Sequence, residues 1–109
     1  MAFTVNGSVA NGVATITLSG ELDAAGAPAF REQVEKVSSE SPKRLVLMVQ
    51  DLEYIASAGL RVLIFSKQKM GAAVDIYVVG AQEQVQDTLE KTGFSKSVIS
   101  VERYDVASA

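Results

Sequence analysis

The chain contains no cysteine, no histidine and no tryptophan among its 109 residues. Without imidazole or thiol, the Ser-His-Asp and Cys-His nucleophile systems are excluded, as are thiolate and imidazole metal sites and thiol redox chemistry. No long hydrophobic run is present either. The longest apolar stretches, such as Leu45 to Val49, fall far short of the roughly 20 residues that a spanning helix needs, so no membrane insertion is expected. The opening Met-Ala-Phe-Thr-Val has no basic segment followed by an apolar one, which points to a cytoplasmic protein. Positive charge is in deficit: ten Lys and Arg against thirteen Asp and Glu give a net charge of −3. That balance repels a phosphate backbone, so no direct nucleic-acid partner is expected. Gly71 and Gly80 form no G-x-G-x-x-G pattern and no Gly-Lys-Ser or Gly-Lys-Thr occurs, so nucleotide binding has no motif and no cofactor is expected.

What is present is an ordinary globular balance, 48% hydrophobic and 21% charged. The length suits a single domain over residues 1–109, which on folding hides about two-thirds of its extended surface, enough for a core without metal or disulfide support. Phe3, Val5 and Asn6-Gly7 read as a short strand, and Asn11-Gly12 leads into a second over Val13 to Ser19. Gly20 to Asp23 breaks the pattern. Ala27, Phe30, Val34 and Val37 then recur at helical spacing, which predicts a helix over Pro28 to Ser39 that ends at Ser41-Pro42. Leu45 to Val49 is uniformly apolar and suits a central strand buried on both faces. From Ser57, the apolar Leu60, Leu63, Ile64 and Met70 alternate with Arg61, Lys67, Gln68 and Lys69, and Gly71 stops this second helix. A strand over Val74 to Val79, a helix over Gln82 to Thr92 closed by Gly93, and a strand over Val98 to Val101 complete the pattern, with Glu102 to Ala109 as a tail. The order β-β-α-β-α-β-α-β implies an α/β fold with a mostly parallel sheet and right-handed crossovers.

The segment Asp51 to Leu60 reads as a loop from the end of the central strand to the second helix, the edge at which open α/β sheets build sites. Ser57 stands where that helix begins, between Ala56 and Ala58 and before Gly59. One reading makes it a helix N-cap. The other makes it a switch, because a phosphoryl group there adds about −1.5 to −2 charges at a helix end that tolerates them, while a partner docked beside Glu21, Asp23 or Glu53 would not. Asp23 is either part of that surface or an N-cap ahead of Pro28. Gly59 and Leu60 either contact a partner or serve the strand-to-helix junction and the core. Tyr54 and Ile55 belong to core or rim, Glu21 to the solvated surface. Asp51 and Glu53, two apart with no nucleophile beside them, define no acid-base geometry, so no catalytic residue is assigned and an enzyme is not expected.

Gly20-Glu21-Leu22-Asp23, the strand at Leu45 to Leu47, Asp51-Leu52 followed by Ile55-Ala56-Ser57-Ala58-Gly59-Leu60, and Thr92-Gly93-Phe94 together resemble the STAS domain family, which includes bacterial anti-sigma factor antagonists and the cytoplasmic tails of sulfate transporters. The resemblance covers nearly the whole chain. It implies helices packed largely on one side of a mixed sheet, and a serine before the second helix that an anti-sigma factor with serine kinase activity phosphorylates and a serine phosphatase resets. By position that phosphoacceptor is Ser57, and the implied partner-binding surface comprises Glu21, Asp23, Tyr54, Ile55, Ala56, Ser57, Ala58, Gly59 and Leu60. The chain departs from the family at Ala56, where Asp is usual, and at Ala58, often Ser or Thr. The alternative is therefore a non-switching STAS module that docks a signalling scaffold or a transporter ATPase.

Overall fold

In the computed structural model the described residues are 3–71 and 73–102. The start of the chain at Met1-Ala2 and the tail after Glu102 lie outside them. The first two strands, β1 (Thr4–Ala10) and β2 (Val13–Leu22), form an antiparallel hairpin with Ala10 opposite Val13 and Thr4 opposite Ser19. Asn11 and Gly12 both take positive φ, 53° and 79°, the backbone that a tight two-residue hairpin turn requires. The short strand read at Phe3, Val5 and Asn6-Gly7 runs on to Ala10. A Cβ on Gly7 would meet Gln33 Oε1 at 3.0 Å and Val37 Cγ1 at 3.2 Å, so the glycine sits where a helix crosses the strand closely.

That helix, α1 (Ala27–Ser38), starts one residue earlier than the spacing predicts, with Pro28 in its first turn and Phe30, Val34 and Val37 buried along one stripe. The remaining elements are β3 (Arg44–Ile55), α2 (Ser57–Met70), β4 (Asp75–Val79), α3 (Glu83–Lys91), a 3-10 turn (Phe94–Ser97) and β5 (Ile99–Val101). The sheet order is β1-β2-β3-β4-β5, and every pair after the first is parallel. Each crossover therefore advances the sheet in the same direction, and right-handed connections then put all three helices on one face. The packing agrees. Phe30 and Val34 of α1, Val62 and Leu63 of α2, and Val85 and Leu89 of α3 share one core with Ile16, Leu18, Leu45, Leu47 and Ile76 of the sheet. Among the described residues the opposite face carries a small cluster, Val13, Val46 and Val79, flanked by Met48, Tyr77 and Val101.

Asp51 to Ile55 is not a loop: β3 continues through it, and Ala56 alone separates strand from helix. Between Thr17–Met48 and Ser19–Asp51, and again between Gly20–Leu52 and Glu21–Tyr54, β3 gains one residue on β2. Such bulges leave a residue unpaired and shift the alternation of faces, so Gln50 and Asp51 are both exposed and the apolar-polar rhythm that marks a strand is lost. The Gly20–Leu22 segment likewise belongs to β2, with Gly20 at φ 86° beside the second bulge. Beyond Met48 the strand has no register partner on β4. The ends of β2 and β3 thus project together as a two-stranded extension past the rest of the sheet.

Along α2, Val62, Leu63 and Ser66 are buried, but Ile64, grouped with the inward residues by spacing, is 47% exposed. The buried Ser66 hydroxyl donates to the Leu63 carbonyl at 2.6 Å. Arg31 of α1 stacks its guanidinium 4.3 Å from the centroid of the Phe65 ring, tying the two helices at their outer rim.

Candidate functional site

The projecting ends of β2 and β3 meet the start of α2. The Ala56 N–H donates to the Leu22 carbonyl at 2.8 Å, which anchors the turn to β2. Ala56 is extended, φ −88° and ψ 170°, and its carbonyl accepts the first helical bond from Leu60 N–H at 3.0 Å. Ala56 is therefore the N-cap, and Ser57 is the first helical residue. The reading of Ser57 as N-cap is corrected accordingly: alanine has no side-chain acceptor, and α2 has no side-chain cap. Ser57 is exposed, and its hydroxyl makes no hydrogen bond with another described residue.

Asp23 does not cap α1 either, since Gly26 occupies that position. Its Oδ1 accepts from Gly26 N–H at 2.9 Å and its carbonyl accepts from Gly26 and Ala27 N–H, each at 3.1 Å, so it holds the turn between β2 and α1. The carboxylate remains exposed. Glu21 is exposed and lies opposite Tyr54, itself 40% exposed, while the intervening pair Leu22–Ile55 is buried. Two carboxylates and a phenol thus stand at the rim of the strand extension, beside the serine.

The structure separates the residues expected on the partner surface into two groups. Glu21, Asp23, Tyr54 and Ser57 are exposed, and Ala56, Ala58 and Leu60 are half-buried around them. Ile55 and Gly59 face inward, Ile55 as part of the core and Gly59 packed against Leu22 and Ile55. Both lie beneath the exposed residues. Asp51 pairs with Ser19, and Glu53 is the extra residue of the second bulge. Among the described residues no group of His, Cys, Asp or Glu is placed to hold a metal ion, and no helix is long and apolar enough to cross a membrane.

An open groove of about 410 Å³ begins at Ser57 and runs between α2 and the segment after α3. Leu60, Arg61 and Ile64 line one wall and Thr92, Gly93, Phe94 and Ser97 the other. Gly93, at φ 79°, makes the sharp exit from α3 that brings Phe94 back against the core. Apart from Ser57 and Leu60, these residues were not singled out as surface from sequence. Positions 57, 60, 61 and 64 do share a helical face, and that spacing was the available signal.

The chain matches the STAS domain family model over residues 5–108. It is 29% identical over 96 residues to the anti-sigma-F factor antagonist RsfB of Mycobacterium tuberculosis, covering 88% of this chain and 79% of that protein. The crystal structure of an anti-sigma factor antagonist from Mycobacterium paratuberculosis superposes with a TM-score of 0.86 at 27% identity, covering 97% of this chain and 91% of that one. The phosphorylated form of the Bacillus cell fate determinant SpoIIAA shares the fold at a TM-score of 0.67 and 15% identity, over 91% of this chain and 90% of that one. With the family model spanning nearly every strand and helix described above, the chain belongs to the STAS domain family.

Proposed function

We propose that this protein is an anti-sigma factor antagonist: a cytoplasmic docking domain whose surface around Ser57 binds an anti-sigma factor of the serine kinase type and loses that partner on phosphorylation. The observation that carries this reading is the Ser57 hydroxyl, exposed at the first position of α2 and without a hydrogen bond among the described residues, with the Glu21 and Asp23 carboxylates on the neighbouring strand end. A kinase would transfer the γ-phosphoryl group of ATP to Ser57 Oγ, releasing ADP and the hydroxyl proton, and a phosphatase would return the serine by hydrolysis. The uncapped first turn of α2 can accept the new charge, because its N–H groups have no side-chain acceptor and the helix dipole is positive there. A partner closing over the same surface must desolvate a dianion next to two carboxylates. About 2.7 kcal/mol of such cost lowers affinity about a hundredfold. The names of RsfB and of the Mycobacterium paratuberculosis protein support the antagonist reading, and the same fold exists in a phosphorylated form in SpoIIAA.

Incubation with the kinase-active partner and ATP, followed by intact mass and peptide mapping, tests the modification. One added phosphoryl group on Ser57 is expected, and modification elsewhere removes Ser57 from its role. A pull-down with Ser57→Ala and Ser57→Asp tests the electrostatics, which fail if both variants bind equally. Ala56 favours a second reading, a non-switching module, since the cap position lacks the carboxylate usual in the family. Stable docking with no modification under kinase and ATP would select it.

A further inference from the structure

We propose that Arg61 is the internal counter-ion of phosphorylated Ser57, so that the modification is bound by this chain's own side chain as well as by the first turn of α2. The proposal rests on Ser57 as the modified residue. Ser57 and Arg61 are four residues apart in α2 and line the same groove. Four residues advance about 6 Å along a helix and return to nearly the same face, which leaves the Cβ atoms about 5–6 Å apart. An acidic group N-terminal to a cation at this spacing is the favourable order of such a pair, and a guanidinium presents parallel N–H donors to phosphate oxygens.

Arg61 is free to take this role. It is exposed and forms no ion pair or hydrogen bond with another described residue, whereas Arg31 is held by Phe65 and Glu35. It is also the only charged residue among the described residues that line the groove. Lys67 lies ten residues along α2 from Ser57, about 15 Å away by helical rise. Lys96 is exposed on the 3-10 turn and does not line the groove, though the neighbouring Ser97 does. Glu21 and Asp23 flank Leu22, whose carbonyl is bonded by Ala56 N–H, and Glu53 is the bulge residue of β3; none of these carboxylates is paired with a cation among the described residues. A phosphate on Ser57 thus meets repulsion from the strand side and, on the helix side, attraction from Arg61 and from the first turn of α2. The pair draws Arg61 toward the mouth of the groove walled by Leu60, Ile64 and Phe94, which extends the effect of the modification from the strand rim into the groove.

The test places phosphoserine at position 57 of the full chain by peptide ligation or codon suppression and follows the phosphate by phosphorus NMR across pH. An opposite charge nearby favours the dianion. The second phosphate pKa is therefore expected to rise by about half a unit in Arg61→Ala. Arg61→Lys should recover part of that shift and Lys96→Ala should leave the titration unchanged. Identical titrations of the parent and Arg61→Ala, or a shift that follows Lys96 instead, overturn the proposal. Matching melting curves of the unmodified parent and Arg61→Ala exclude a folding artefact. No kinase enters this experiment, so a natural phosphoacceptor other than Ser57 would be exposed by the peptide mapping above and not by this titration. A negative titration removes Arg61 while leaving the Ser57 switch in place.

Discussion

Gly59 and Leu22 are packed so closely that a Cβ on residue 59 would lie 2.6 Å from Leu22 Cγ and 2.7 Å from its Cδ2, with Ile55 Cγ1 at 3.0 Å. Together with the Ala56 N–H bond to the Leu22 carbonyl, this contact sets the distance between the first turn of α2 and the end of β2. Ser57 on one element and Glu21 and Asp23 on the other are held near each other by it. The glycine is required for space, since its backbone is helical and its φ is not among the positive values of the chain.

Gly59→Ala should therefore destabilise the protein by about 1–3 kcal/mol, the usual cost of overpacking a filled core. Urea unfolding measures it through the midpoint. Leu22→Ala in the Gly59→Ala background should recover part of the loss by opening room for the new methyl. Additive losses in the double variant would show that the two residues do not share the site of strain.

At Gly7 the backbone of the edge strand β1 is capped by side chains of α1. Gly7 N–H donates to Gln33 Oε1 at 3.0 Å, and Lys36 Nζ donates to the Gly7 carbonyl at 3.3 Å. An edge strand with unpaired backbone groups invites pairing with another chain, and side chains from a covering helix prevent it. Gln33→Ala is expected to cost about 1 kcal/mol and to speed amide exchange at Gly7. The Gln33→Ala, Lys36→Ala double variant should add concentration-dependent association, read by light scattering. Unchanged exchange at Gly7 would deny the bond its protective role.

Ile64, 47% exposed on the groove wall, keeps about half of its surface buried, so Ile64→Asn should cost about 1 kcal/mol of stability and leave the protein folded. If the partner covers the groove, the same change should weaken docking by about tenfold, near 1.4 kcal/mol. Binding measured by calorimetry against the anti-sigma factor checks this. Unaltered affinity confines the interface to the strand rim and Ser57.

Much of the fold is legible in the chain's periodicity. The stripe Phe30, Val34, Val37 and the run Leu45 to Val49 identify a helix and a buried strand because burial is imposed by local geometry, at periods of 3.6 and 2 residues. The order of elements follows, and handedness of the crossovers then places the helices on one face. The candidate surface is half legible: Ser57, Glu21 and Asp23 stand out as polar residues beside element ends, yet which of their neighbours turn inward does not.

What periodicity cannot carry is the pairing between distant segments. The run of β3 to Ile55 depends on hydrogen bonding to β2 across two bulges, and those bulges erase the alternation that would have marked it. That extension shortens the connection to the single residue Ala56, which shifts the cap by one position and leaves the Ser57 hydroxyl without a hydrogen bond among the described residues. The groove needs residues 57–64 and 92–97 side by side. Composition and local pattern thus decide which side chains seek the core and in what order strands and helices form. Only the packed chain decides which polar groups meet, because that depends on contacts between residues far apart in sequence.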